Sequence, residues 1–236
     1  MTPSRPTVFL LDVDNTLLDN DAIQQHLKDH LEHRFGVAAR DRYWRILTDR
    51  FATLGYRDYL GALQRYRDEN PCEVELLSMS SFLLDYPFVD RVYPGTREVV
   101  ERLSGIGTTV ILSDGDVVFQ PHKVERAGLA AAVDDRVLIY RHKDKTLDDV
   151  ERRYPARHYV VVDDKPRILS AVKQFWGERV TTVFARQGSY ARDPEALRAF
   201  RKADITIERI VELLDFDATT LRMPSRNPSS HMEAAL

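Results

Sequence analysis

A single cysteine, Cys72, stands in 236 residues, so no disulfide can tie one part of the chain to another. Long apolar runs are missing too. None approaches the ~20 residues that a membrane-spanning helix needs, and the opening stretch, Met1-Thr2-Pro3-Ser4-Arg5-Pro6-Thr7, has no apolar core of a secretory signal. Neither charge is in excess. Lys and Arg number 34 against 37 Asp and Glu, a formal net charge of −3, which offers no global field for nucleic acid or an anionic membrane. There is no Gly-x-x-x-x-Gly-Lys-Ser loop and no internal repeat. These absences leave a cytoplasmic protein with a small-molecule partner as the expectation; they carry no sign of oligomeric state.

What is present begins with residues 8–17. Val8, Phe9, Leu10 and Leu11 form an apolar run without polar alternation, as in a strand buried on both faces of a parallel sheet. The run ends in Asp12, and Asp14 follows two residues later. Further on, the same rhythm returns four times. Val110-Ile111-Leu112 leads into Ser113-Asp114, Val137-Leu138-Ile139 into the stretch with Lys143 and Lys145, Tyr159 to Val162 into Asp163-Asp164, and Val180 to Phe184 forms a fifth strand. Ile205 and Ile207 suit a last edge strand. Helical patterns alternate with these strands, which predicts a doubly wound parallel α/β sheet. Between the first strand and Tyr93 the pattern is only helical. Ile23, Leu27, Leu31 and Phe35 recur every four residues, and a second helix from about Arg42 is expected to bury Trp44, Leu47, Phe51 and Leu54. A third carries Tyr59, Leu63 and Tyr66, and a fourth Leu76 to Leu83. The expected division is therefore residues 1–18 and 89–222 as the α/β core, 19–88 as an inserted helical cap, and a poorly ordered Pro- and Ser-rich tail over 223–236.

Adjacent strand ends of such a sheet converge in one cleft. Three or four acids with a lysine and a hydroxyl do not suit a hydrophobic ligand. They suit a divalent cation with oxygen ligands, Mg²⁺ above all, beside a phosphoryl group whose charge they spread. Of the two lysines after the third strand, Lys143 stands nearer the strand end and is favoured over Lys145. Lys123, on a helical pattern, is expected at the surface.

These motifs resemble those of the haloacid dehalogenase superfamily, in its phosphatase-like branch with a helical cap after the first strand. The resemblance rests on Asp12-Val13-Asp14-Asn15-Thr16, Leu112-Ser113-Asp114, the lysine region and Val162-Asp163-Asp164, and covers roughly 6–18 and 93–215. It implies a core with strand order 3-2-1-4-5 and a Mg²⁺-dependent phosphatase acting on a small phosphorylated metabolite. Asp12 would be the nucleophile and form an aspartyl-phosphate, with Asp14 as general acid and base. Ser113, Asp114 and Lys143 would hold the phosphate. Mg²⁺ would sit on Asp12, the Asp14 main-chain carbonyl and Asp164, with Asp163 a further ligand or the partner of one. Thr16 resembles a position that steadies the loop. Asp14 favours phosphate esters over halides, since a halide leaving group needs no proton. Tyr56 and Arg57, after the Gly55 break, are the substrate candidates of the cap; the histidines 26, 30 and 33 suit a polar helix face better than a metal site. The alternatives are a phosphomutase, a phosphonatase using Lys28, and a non-catalytic binding module on the same fold.

Overall fold

The computed structural model describes residues 7–71 and 76–222. Cys72 and the expected tail from Met223 lie outside them. Among the described residues six parallel strands form one sheet: β1 (Thr7–Leu11), β2 (Thr108–Asp114), β3 (Val137–Tyr140), β4 (His158–Asp163), β5 (Val180–Ala185) and β6 (Ile205–Ile207). Their order is β3-β2-β1-β4-β5-β6, the expected order with one more strand at the edge. β1 lies in the middle because its side chains are apolar on both sides. Val8 and Leu10 enter one buried cluster, and Phe9 and Leu11 enter the other. At roughly 1.5–3 kcal/mol for each such side chain removed from water, no other position in the sheet would bury this strand as well.

Four helices fall between β1 and β2 in the chain: α1 (Asn20–Phe35), α2 (Val37–Leu54), α3 (Tyr59–Glu69) and α4 (Leu76–Asp85). Asp19 caps α1, accepting from the Ala22 N–H at 2.9 Å. α2 starts at Val37, ahead of the expected Arg42. Gly36, at φ 84°, ends α1 and lets the chain turn straight into the next helix. The buried face of α2 also differs from the expected one. Tyr43, Ile46 and Leu47 are buried, whereas Trp44, Phe51 and Leu54 are only half-buried. Leu27, Tyr43, Leu47 and Met79 share one continuous apolar cluster with Phe9 and Leu11 of the sheet.

The remaining helices are α5 (Thr96–Ile106), α6 (Phe119–Arg126), α7 (Leu129–Ala132), α8 (Leu147–Arg153), α9 (Pro166–Trp176), α10 (Pro194–Ala199) and α11 (Ala218–Arg222). Pro166 opens α9, where a missing N–H costs nothing. No helix among the described residues is long and apolar enough to cross a membrane.

Candidate active site

The site grows out of the sheet register. Leu11 pairs with Val162 of β4, and the Asp12 N–H continues the ladder to the Val162 carbonyl at 3.0 Å. Asp12 therefore leaves the sheet beside Asp163. On the other side Leu11 pairs with Ile111 of β2, two residues before Ser113. After Val13 the chain turns sharply, with Asn15 at φ 60° and its N–H bonded to the Leu18 carbonyl at 2.7 Å. An asparagine tolerates that conformation better than most side chains, and here its amide is held by Asp21 at 3.0 Å.

Lys143 is the hub. It follows β3 on a 3-10 turn and is fully buried, while Lys145 is exposed. Its Nζ lies 2.5 Å from Asp12 Oδ1 and 2.6 Å from Asp163 Oδ2, and it also donates to the Leu112 carbonyl at 3.2 Å. Burial alone would lower its pKa, but Asp12 and Asp163 outweigh that and hold the ammonium charged. Asp114 accepts the Lys143 N–H at 2.7 Å, so one oxygen of its carboxylate anchors this lysine's loop, and the residue also lines the site cavity. Ser113 Oγ is buried and accepts from Gln120 Nε2 at 2.9 Å, a partner that no motif in the sequence announces.

Asp12, Asp163 and Asp164 bring one oxygen each within 4.8 Å of one another. Asp12 Oδ2 and both oxygens of Asp164 are buried without a hydrogen-bond partner. Bare carboxylate oxygens in a dry site are costly, and a hard cation is what such a set of donors fits. The electrostatics agree. Burial would raise the Asp12 carboxyl, yet Lys143 and Lys165 hold it below the usual carboxylate range. Asp163 is pushed up to about 6, and Asp164 well above the ordinary value, by burial first and by their acidic neighbours. The Asp14 carboxylate is not in this group, so its part in a metal site rests on its main-chain carbonyl alone.

Asp14 and Asp164 instead share the wall of a cavity of about 550 Å³ with Tyr56, Arg57, Lys165 and Tyr190. The two cap candidates thus face the same space as the acids. Phe51, expected in the core, lies on this wall as well, and Arg57 stacks on it at 5.3 Å. Lys165 is absent from the residues expected at the site, although a lysine directly after two acids at a strand end is a signal. Burial would lower its pKa, but Asp12, Asp164 and Asp163 raise it well above the usual lysine value. Lys123, expected at the surface, is buried, with Nζ 2.6 Å from Asp14 Oδ1. Of the three histidines, His26 pairs with the Tyr86 hydroxyl at 2.7 Å and His30 stacks on Phe82, so they converge on no common ion.

Carboxylates and lysines gathered at the strand ends of a parallel sheet, beside a helical insert, are the side chains of an α/β enzyme whose centre could hold a cation. The chain belongs to the haloacid dehalogenase-like hydrolase family, whose model matches residues 6–175. It is similar to a protein from Burkholderia xenovorans LB400 described as a haloacid dehalogenase-like hydrolase. The two are 55% identical over 91% of this chain and 98% of that one, with a TM-score of 0.88. The fold is shared with the HAD-hydrolase YfnB of Bacillus subtilis, bound to magnesium, at 15% identity over 89% and 98% of the two chains and a TM-score of 0.60. It is shared too with the L-2-haloacid dehalogenase of Xanthobacter autotrophicus, at 16% identity over 87% and 96% and a TM-score of 0.57. A comparison with curated proteins returns no match.

Proposed function

We propose that this enzyme is a Mg²⁺-dependent phosphatase of a small phosphorylated metabolite, working in the cytoplasm through an aspartyl-phosphate on Asp12. The observation that carries this reading is Asp14. It stands on the cavity wall two residues after the buried Asp12, where a leaving oxygen needs a proton. A halide leaves without one, so the dehalogenase reading gives this residue nothing to do. The phosphonatase reading needs a free lysine from the insert. Lys28 is instead stacked 4.4 Å from the Trp44 ring centre, in a groove with Gln25, Glu32 and Arg45.

Lys143 keeps Asp12 ionised, which is the state a carboxylate nucleophile needs. Asp12 attacks phosphorus, the bond to the ester oxygen breaks, and Asp14 delivers its proton to that oxygen. Asp14 then takes a proton from the water that releases phosphate from Asp12. Ser113, fixed by Gln120, donates to a phosphoryl oxygen, with Lys143 and the main chain of Asp114 beside it. Asp12, Asp163, Asp164 and the Asp14 carbonyl would hold Mg²⁺, which when bound supplies charge for the phosphoryl oxygens. Tyr56 and Arg57, on the helical insert 19–88 acting as a cap, meet the rest of the substrate and exclude water.

The test is phosphate release from a panel of phosphorylated metabolites, with and without EDTA. Wild type is expected to release phosphate only with Mg²⁺, and Asp12→Asn to be folded and silent. Turnover that survives chelation, or that survives in Asp12→Asn, overturns the reading; phosphate passed between sugars without release points to a mutase.

A further inference from the structure

Lys123 is the buried cation the mechanism above leaves unused. It sits on α6, on the same face as Phe119, Gln120 and Val124, all buried. A lone ammonium in such a place costs several kcal/mol unless it is paired. Its Nζ has two oxygens in reach, Asp14 Oδ1 at 2.6 Å and Asn20 Oδ1 at 3.5 Å. Asn20 is itself buried and begins α1, so α6, the β1 turn and the first helix of the insert meet at this ammonium.

We propose that Lys123 is a positioning residue for Asp14. It ties down Oδ1 from the α6 side and leaves Oδ2 as the atom that exchanges the proton with the ester oxygen and then with water. A carboxylate free to rotate about its last bond would present either oxygen, or neither, to the reacting group. Held by a lysine from a packed helix, it presents one, and positioned acid–base groups contribute roughly 10²–10⁴-fold. The two halves of the reaction use the pair in balance. The Oδ2 proton goes to the leaving oxygen as its bond to phosphorus breaks, and Oδ2 recovers a proton from the water whose oxygen forms the new bond. Lys123 touches no substrate. The neighbouring Gln120 does for Ser113 what Lys123 does for Asp14, so a single short helix sets the orientation of two groups of the site.

This inference rests on the phosphatase reading, and the experiment separates the two. Lys123→Met keeps length and bulk and removes the charge. Its kcat/KM, which is set by the steps through cleavage of the ester bond and not by the later attack of water on the aspartyl-phosphate, is compared with wild type on two esters, 4-nitrophenyl phosphate, whose leaving group departs without a proton, and an alkyl phosphate, whose leaving group does not. The expected result is a loss of kcat/KM of about tenfold or more on the alkyl ester beyond any loss on the nitrophenyl ester. A merely structural lysine would lower both alike. Equal losses, or no loss on either, overturn the proposal. Should Lys123→Met fail to fold, as judged by its melting curve, Lys123→Gln is assayed on the same pair of esters, where a selective loss on the alkyl ester again supports the proposal and equal losses overturn it. Wild-type protein that releases phosphate from neither ester refutes the phosphatase reading itself, and this inference with it.

Discussion

Replacing Lys143 with Met is expected to destabilise the metal-free protein by an amount that depends on pH and metal. In the structure one ammonium lies 2.5 Å from Asp12 and 2.6 Å from Asp163, and all three side chains are 1% exposed. Removing one partner of a buried pair costs about 3–5 kcal/mol, because the charge left behind has no compensation. Here two carboxylates are left behind, so the upper part of that range is expected at about pH 8. The sign with pH follows from linkage. The raised pKa of Lys143 gives stability that is complete below the unfolded lysine value and fades only as pH climbs past it, so the wild-type pair is intact through neutrality. In the variant Asp12 and Asp163 keep only Lys165 as a neighbouring cation and titrate higher in the folded state. Each then costs stability as pH rises above the ordinary carboxyl range, and the penalty shrinks toward about pH 5 where they take up protons. Urea unfolding in EDTA measures this directly. With a slope of about 2 kcal/mol per molar, the midpoint at pH 8 should fall by roughly 2 M, and by less at pH 5. Saturating Mg²⁺, supplying the missing positive charge, should return part of the loss. A midpoint that moves by less than about 0.5 M at pH 8, or equally at both pH values, would refute the hub role of Lys143.

Mg²⁺ affinity should fall as pH drops through about 6, the value to which Asp163 is pushed, since the ion must displace that proton; calorimetry in buffers of different ionisation enthalpy should show proton release, and its absence would count against these ligands. Gly55→Ala should destabilise by about 1–2 kcal/mol, because the residue sits at φ 83° and a Cβ there would run into the His142 ring next to Lys143. The same change should raise KM by prising the end of α2 from the loop that carries the lysine, whereas an unchanged melting temperature and KM would show that the contact is slack.

The sheet is legible in the sequence because most strands announce themselves twice, by an apolar run and by a polar residue at the carboxyl end. Val8 to Leu11 needs no tertiary information to be placed in the middle, since only a central strand buries both Leu10 and Leu11. The convergence of Asp12, Asp163 and Asp164 follows from that placement and from spacing alone. The lysines are harder to read. A lysine in a helix usually lies at the surface, and what reverses this for Lys123 is a partner 109 positions away. Its face is nonetheless visible, as Phe119 stands one helical turn before it. The face of α2 misleads for a related reason. Trp44 and Phe51 are large apolar residues and so point to the core, yet both serve as platforms for cations, Lys28 and Arg57 on Trp44 and Arg57 on Phe51. Periodicity locates a helix; it does not say whether an aromatic on it meets apolar carbon or a guanidinium.

The charges of the centre explain why it should need an ion at all. Three carboxylates, Asp12, Asp163 and Asp164, meet within reach of two ammoniums, Lys143 and Lys165. Were all five ionised, one negative charge would stand uncompensated in a buried site. The protein relieves this by letting the acids climb, Asp163 to about 6 and Asp164 well above its ordinary value, so that without metal the surplus is carried as a bound proton. A divalent ion held at the oxygens that have no hydrogen-bond partner would do the same work at neutral pH. With the ion bound and the proton gone, the surplus would turn positive, which on the proposed phosphatase reading is the charge an incoming phosphoryl group needs to find. Metal and substrate are therefore expected to bind with positive cooperativity, and a phosphate affinity that is the same with and without Mg²⁺ would contradict this charge balance.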